Sequence, residues 1–191
     1  MISNSERSEI SSSHFSRKLV IDDERLRILK GWHNTLAEQL VIASGDDEII
    51  KRTPRDHNER FASAEAANEW YARDEHIVYS LAQAANLAGI IWFTKYDTPV
   101  IENADYTFAI RMYEGARGKG LAGNFARAVL LDFEATESGS DVWLETDTDN
   151  DAALHLYESL GFAPISSAKT RTKMVRPGVM SRLGYHHPEA E

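Results

Sequence analysis

The spacing of apolar residues along the chain changes from helical to alternating near residue 76, and returns to helical at residue 121. Ahead of the first change, Lys18–Ile21 reads as a short strand and Asp23 to about Trp32 as helix. Thr35-Leu-Ala-Glu38 has capping-box spacing and opens an apolar stretch that ends at Gly45. Asp46–Glu59 is polar and carries Pro54, so it reads as a loop with at most one helical turn. Ser63 can cap a helix reaching about Arg73, with Ala66, Ala67, Trp70 and Tyr71 on one face.

From there the period is two. His76–Ala82 and Leu87–Lys95 are rich in β-branched and aromatic residues, and Ala84-Ala85-Asn86 joins them as a hairpin turn. Asp97-Thr-Pro99 marks the next connection, and Asp105–Tyr113 alternates again as a strand. Leu121–Thr136 carries Ala122, Phe125, Ala126, Val129, Leu130 and Phe133 along one stripe, the clearest helix of the chain, and Ser138-Gly-Ser140 ends it. Asp141–Thr146 follows as a strand, Asp151–Leu160 as a helix stopped by Gly161, and two weaker strands lie within Ala163–Val175. This order matches neither a clean βαβ repeat nor an all-β domain. It predicts an α/β (α+β) fold, with a mixed sheet and helices on both faces.

Composition narrows the chemistry. The 191 residues suit one domain, expected over residues 17–176 between a Ser-rich, disordered leader (1–16) and a C-terminal tail (177–191). The leader lacks the apolar core of a secretory signal, and no apolar run approaches the ~18–20 residues of a membrane span, so a soluble, cytoplasmic protein is expected. With no cysteine, a disulfide framework, a thiol nucleophile and a Cys-ligated zinc are excluded. His186-His187 is a weak metal signal, and no metal is expected. The net charge of -9 is unevenly placed: residues 1–162 hold 16 basic and 28 acidic side chains, whereas Lys169, Arg171, Lys173, Arg176 and Arg182 follow with no intervening acid. An acidic body disfavours general nucleic-acid binding and suits a cationic substrate such as an amine, although acids also simply solubilise a surface.

The turn Tyr113-Glu-Gly-Ala-Arg117-Gly118-Lys119-Gly120-Leu121-Ala122 joins a strand to a helix. Glycines permit close backbone approach, and the first amides of a helix have no internal partner, so this turn suits a phosphate-bearing ligand. Arg117 and Lys119 add positive charge there. Gly118-x-Gly120-x-x-Gly123 is a literal dinucleotide fingerprint, but only 68 residues follow Gly123, too few for a doubly wound sheet. The overlapping Arg117-x-x-Gly120-x-Ala122 resembles the signature with which the GNAT superfamily cradles the pyrophosphate of coenzyme A. Downstream, strand Val142-Trp-Leu-Glu145 is followed by Asn150, Ala153, Tyr157 and Gly161-Phe162 in the order and spacing of the second GNAT motif. Together the two motifs cover residues 105–165. Within the superfamily, Trp143–Phe162 is most similar to the bacterial ribosomal-protein alanine N-acetyltransferases. The chain departs from them in a longer N-terminal region and in lacking a tyrosine-rich loop after Phe162.

The resemblance implies a mostly antiparallel GNAT sheet and an N-acetyltransferase that passes an acetyl group from acetyl-CoA to a primary amine, either a small cationic amine or a protein N-terminus. Such a reaction needs a base for the ammonium proton and an acid for the departing thiolate. The resemblance implies Glu145 as base and Tyr157 as acid; Glu114 and Asp147 are the other nearby carboxylates to test as base. It places the cofactor against Ile110, Met112, Arg117, Gly118, Lys119, Gly120, Leu121, Ala122, Asn150 and Tyr157. Asn150 also sits where a helix N-cap belongs, and His155 is expected to point away to the surface. The partners expected are acetyl-CoA and an amine acceptor, with a homodimer left open and no membrane contact. Two other readings stay open: a non-catalytic acyl-CoA sensor, and an NAD-dependent oxidoreductase.

Overall fold

The computed structural model describes residues 16–21, 24–96, 101–137 and 140–183. Among these residues eight strands form one sheet: β1 (Ser16–Ile21), β2 (Glu24–Lys30), β3 (His76–Gln83), β4 (Asn86–Lys95), β5 (Tyr106–Met112), β6 (Val142–Asp147), β7 (Ala163–Ala168) and β8 (Arg171–Arg176). Their spatial order is β1-β2-β3-β4-β5-β6-β8-β7. Every neighbouring pair is antiparallel except β5 and β6. The helices are α1 (Asn34–Ser44), α2 (Asp47–Arg52), α3 (Ala64–Arg73), α4 (Leu121–Thr136), α5 (Asp151–Ser159) and the short α6 (Val179–Arg182).

Helices cover both faces, because alternate residues of the central strands are apolar on each side. On one face Phe93, Phe108, Ile110 and Leu144 pack against Phe125, Val129 and Phe133 of α4 and Tyr157 of α5. On the other, Val78, Ile90, Trp92 and Tyr113 pack against Leu36 and Leu40 of α1 and Ala67 and Trp70 of α3. Two alternating apolar sets on one strand therefore build two cores.

The N-terminal third departs from its sequence reading. Asp23 to Trp32 is not helical, since Glu24–Lys30 is strand β2. Leu26 and Ile28 are fully buried while Arg27 between them is exposed, a period of two, and pairing with β1 and β3 holds the chain extended. The cap of α1 is His33, whose Nδ1 accepts the Leu36 amide at 3.0 Å, and Thr35 lies inside the helix. Between Asp46 and Glu59 there is more helix than a polar loop with Pro54 suggests. Asp46 caps α2 through the Glu48 amide, Ile49 anchors it in the second core, and a π-helical turn spans Asp56–Arg60. Ser63 caps α3 through the Ala66 amide, as expected. Ser16, placed in the leader by sequence, pairs with Leu29 in β1, and α6 lies within the expected tail. The rest of the leader, Asp97-Thr-Pro99, Ser138-Gly139 and His186-His187 lie outside the described residues.

Gly89 permits the closest strand contact. A Cβ there would lie 2.8 Å from the Arg111 carbonyl oxygen and 2.9 Å from Met112 Sδ, beside an irregularity in the β3–β4 register. Gly89→Ala is expected to cost about 1–3 kcal/mol, read as a lower urea midpoint at unchanged slope. A second prediction concerns His76. Its ring stacks on Trp70 at 4.1 Å, its Nδ1 lies 3.0 Å from Thr94 Oγ1, and burial pulls its pKa down to about 4 against the opposing charge of Asp74. Between pH 6.5 and 4 the unfolded chain takes up this proton and the folded one does not. Stability should therefore fall with pH across that window, by on the order of 1–3 kcal/mol from this group. His76→Phe should flatten the fall measured by urea unfolding at pH 7, 6, 5 and 4, and an unchanged profile would remove His76 as its source.

Candidate active site

The site originates in the one parallel pair. β5 and β6 pair only at Tyr106↔Val142 and Thr107↔Trp143, and beyond Thr107 and Trp143 they diverge. Tyr113 N–H donates to the Ala88 carbonyl on the β4 side, so by alternation the amide and carbonyl of Ile110 and Met112 face the opened side. Two guanidiniums already reach that edge: Arg111 Nη1 donates to the Ile110 carbonyl at 2.9 Å, and Arg117 Nη2 to that of Met112 at 3.3 Å.

The divergence opens a cleft of about 780 Å³ whose lining includes Ile110, Arg111 and Met112 of β5, Glu145 and Asp147 of β6, and Tyr157 of α5. At one end it meets the turn leading into α4. Gly118 and Gly120 hold φ of +76° and +70°, and the helix starts without a side-chain cap. Among the described residues the amides of Gly118, Lys119, Gly120, Leu121 and Ala122 find no acceptor. Five donors therefore cluster at the positive end of a 16-residue helix. Gly118, Gly120, Leu121 and Ala122 line the cleft, whereas Lys119 is exposed outside its lining. Arg117 lines it too, yet its Nη2 is held at 2.6 Å by Asp46 Oδ2, which also accepts the Glu114 amide at 2.9 Å. Asp46 thus pins the start of α2 to this turn.

Tyr157 is 8 % exposed and stands edge-on to Phe108 at 6.2 Å. Its hydroxyl has no hydrogen-bond partner among the described residues and is not sealed from solvent, so it opens on the cleft. Burial pushes its pKa up, with the charges of Arg111 and Arg171 pulling the other way. Asn150 caps α5 through the Ala153 amide at 3.2 Å and lines the cleft as well. Glu145 lies 3.4 Å from Arg171 Nε, and Arg171 Nη1 binds Asp147 at 2.6 Å. Arg52 of α2 reaches across to Asp149 at 2.9 Å while binding Glu48 at 3.3 Å. Glu114 lines a different hollow, with Asp46 and Tyr113. His155 is exposed but stands on the cleft lining rather than away from it. The basic stretch after residue 162 is largely spent inside the chain, with Arg171 on Glu145 and Asp147 and both Arg176 and Arg182 on Glu134.

Sequence reasoning did not find Asp46, Arg52, Asp56, Arg111 and Arg171. Arg111 left one signal, a cation between Ile110 and Met112 in an otherwise uncharged strand. Its Nε binds Asp56 Oδ2 at 2.6 Å, and Arg60 binds the other oxygen of Asp56 at 2.6 Å. Burial pushes the Asp56 carboxyl up, but the two guanidiniums outweigh it and hold the group below its ordinary value.

Comparison with known proteins agrees with this geometry. A family model described as "Acetyltransferase (GNAT) family" matches residues 29–162. No curated protein matches. Among solved structures, ribosomal-protein-S5-alanine acetyltransferase from Vibrio fischeri superposes with a TM-score of 0.67 at 10% identity, covering 85% of this chain and 97% of that one. A GNAT-family acetyltransferase from Streptococcus pneumoniae gives 0.61 at 17% identity, covering 78% and 96%. AAC(6')-Ib, described in complex with parmomycin and acetyl-CoA, gives 0.62 at 15% identity, covering 85% and 99%. The mostly antiparallel sheet leaves no place for a doubly wound dinucleotide fold, so the Gly118-x-Gly120-x-x-Gly123 coincidence does not mark one. With its family motifs placed around one cleft, the chain belongs to the GNAT acetyltransferase family and is an acyltransferase.

Proposed function

We propose that the protein transfers an acetyl group from acetyl-CoA to a primary amine by direct attack. One observation carries this reading: an unpaired strand edge and an uncapped helix start open into the same cleft as Glu145 and Tyr157. The residues fit acetyl-CoA. The amides of Gly118–Ala122 suit its pyrophosphate, the edge of Ile110 and Met112 suits strand-like pairing with its pantetheine arm, and Asn150 and Leu121 flank the same path. Arg117 would meet the pyrophosphate by sharing or leaving its contact with Asp46. Bound there, acetyl-CoA supplies an activated thioester carbonyl.

The remaining chemistry falls to the side chains. A primary amine must lose a proton to attack, and Glu145 takes it, directly or through one water. The C–N bond forms as the C–S bond breaks, and the sulfur leaves with the electron pair. Tyr157, whose pKa burial of the side chain raises and whose hydroxyl has no hydrogen-bond partner among the described residues, donates its proton to that sulfur. Arg171, tied to both Glu145 and Asp147, fixes the carboxylate on the cleft wall.

Two outcomes test the reading. Calorimetry should detect CoA binding that weakens as salt rises, and Gly120→Ala should weaken it roughly fivefold, because an alanine at φ near +70° costs about 1 kcal/mol. Tyr157→Phe and Glu145→Gln should each lower kcat by roughly 10²–10³ with CoA affinity kept. If both variants turn over like wild type, neither side chain has the role assigned to it. CoA binding without turnover on any amine would instead favour an acyl-CoA sensor.

A further inference from the structure

The cleft holds a charge arrangement that simple acetyl transfer does not require. Its lining carboxylates Glu48, Glu145 and Asp147 all pair with cleft-lining arginines, sharing the guanidiniums of Arg52 and Arg171. Arg111 differs. It lines the cleft, but its counter-ion Asp56 lies behind it, 1% exposed, and does not line the cleft. Asp56 is moreover shared with Arg60, so the cluster around this buried carboxylate holds two cations and one anion.

The guanidinium of Arg111 is fixed on several sides. Nε is held by Asp56 at 2.6 Å and Nη1 by the Ile110 carbonyl at 2.9 Å, and the planar group lies over the Trp92 ring at 4.9 Å. Its side chain is 16% exposed. The remaining nitrogen, Nη2, has no acceptor among the described residues and is not sealed from the solvent of the cleft. A rigid, largely dry guanidinium with spare donors is a binding group for a carboxylate, and sharing Asp56 with Arg60 leaves Arg111 incompletely neutralised, which makes an incoming anion favourable.

Its position relates it to the reacting groups. Counted on from Thr107↔Trp143, Ala109 falls level with Glu145 and Arg111 with Asp147, across the gap where the two strands have parted. The charge of Arg111 also acts on the Tyr157 hydroxyl. An anion seated on Arg111 therefore shares the cleft with Glu145 and Tyr157.

We infer that Arg111 selects the acceptor, binding a carboxylate that lies a few bonds from the reacting nitrogen, so that the substrate class is a free amino acid. This rests on the acetyl transfer proposed above. A polyamine offers Arg111 only repulsion, and a protein N-terminus carries its carboxylate far from the amine. Asp56 is a positioning residue, holding Arg111 against Trp92 without facing the cleft.

The test is a steady-state assay of CoA release with matched acceptors: an amino acid such as leucine or phenylalanine, and the amine left when its carboxylate is removed. Wild type should favour the amino acid by at least tenfold in kcat/KM. Arg111→Lys should cut that preference mainly by raising KM for the amino acid. Because Arg111→Gln alone leaves Oδ2 of the buried Asp56 without its donor, Arg111→Gln is combined with Asp56→Asn, and this pair should abolish the preference in a protein that still binds CoA. Equal or better turnover of the decarboxylated amines by wild type overturns the inference while leaving the acetyl transfer intact. So does an equal loss on both acceptors in the variants. Should no amino acid be turned over or raise the Tm of the CoA-loaded protein, the inference is again overturned. Failure of wild type to bind CoA overturns the underlying reading instead.

Discussion

Everything in this site depends on two parallel strands that stop pairing. A sheet normally consumes its backbone donors and acceptors in ladders, and an unpaired edge inside a protein is costly unless something meets it. Here the antiparallel ladders on both sides hold β5 against β4 and β6 against β8 along their lengths, while β5 and β6 share only two residue pairs. The outer pairings fix each strand's direction, and the gap between them is what their divergence leaves.

The two cores hold that gap open from opposite sides. On one face α4 and α5 pack through Phe125, Phe133 and Tyr157 onto Phe93 and Phe108, which brings the start of α4 and the Tyr157 hydroxyl to the cleft. On the other, α1 and α3 cover Trp92 and Tyr113, and α2 extends from this layer over the opening. Asp46 ties the front of α2 to the glycine turn, and Arg52 ties its end to Asp149 beyond β6. A short helix thus spans the mouth, secured by charge at both ends rather than by apolar burial, of which it contributes chiefly Ile49.

Charge pairing also revises what net charge alone suggested. An acidic chain points to a cationic partner, yet the carboxylates lining the cleft already pair with arginines. Arg111 is different, because its counter-ion Asp56 serves two guanidiniums at once. Bulk charge describes how the surface is solvated, whereas recognition depends on which local charge is left unmatched.

The sequence by itself determined the alternating strands from His76 onward, the α4 helix, the glycine turn that precedes it and the Asn150–Tyr157 spacing. These are local: period, caps and glycine conformations are set by neighbours a few residues apart. That is also why the two family motifs were readable there. Only the tertiary structure decided the rest. Glu24–Lys30 carries side chains that tolerate a helix, and it is extended because β1 and β3 flank it and two of its residues reach the core. Arg117 reads as a free phosphate ligand until folding brings Asp46 to it across 71 positions, and Arg111 as an isolated strand cation until Asp56 arrives across 55. Coulomb pairing depends on distance in space, and no sequence period records which charges the fold will bring together.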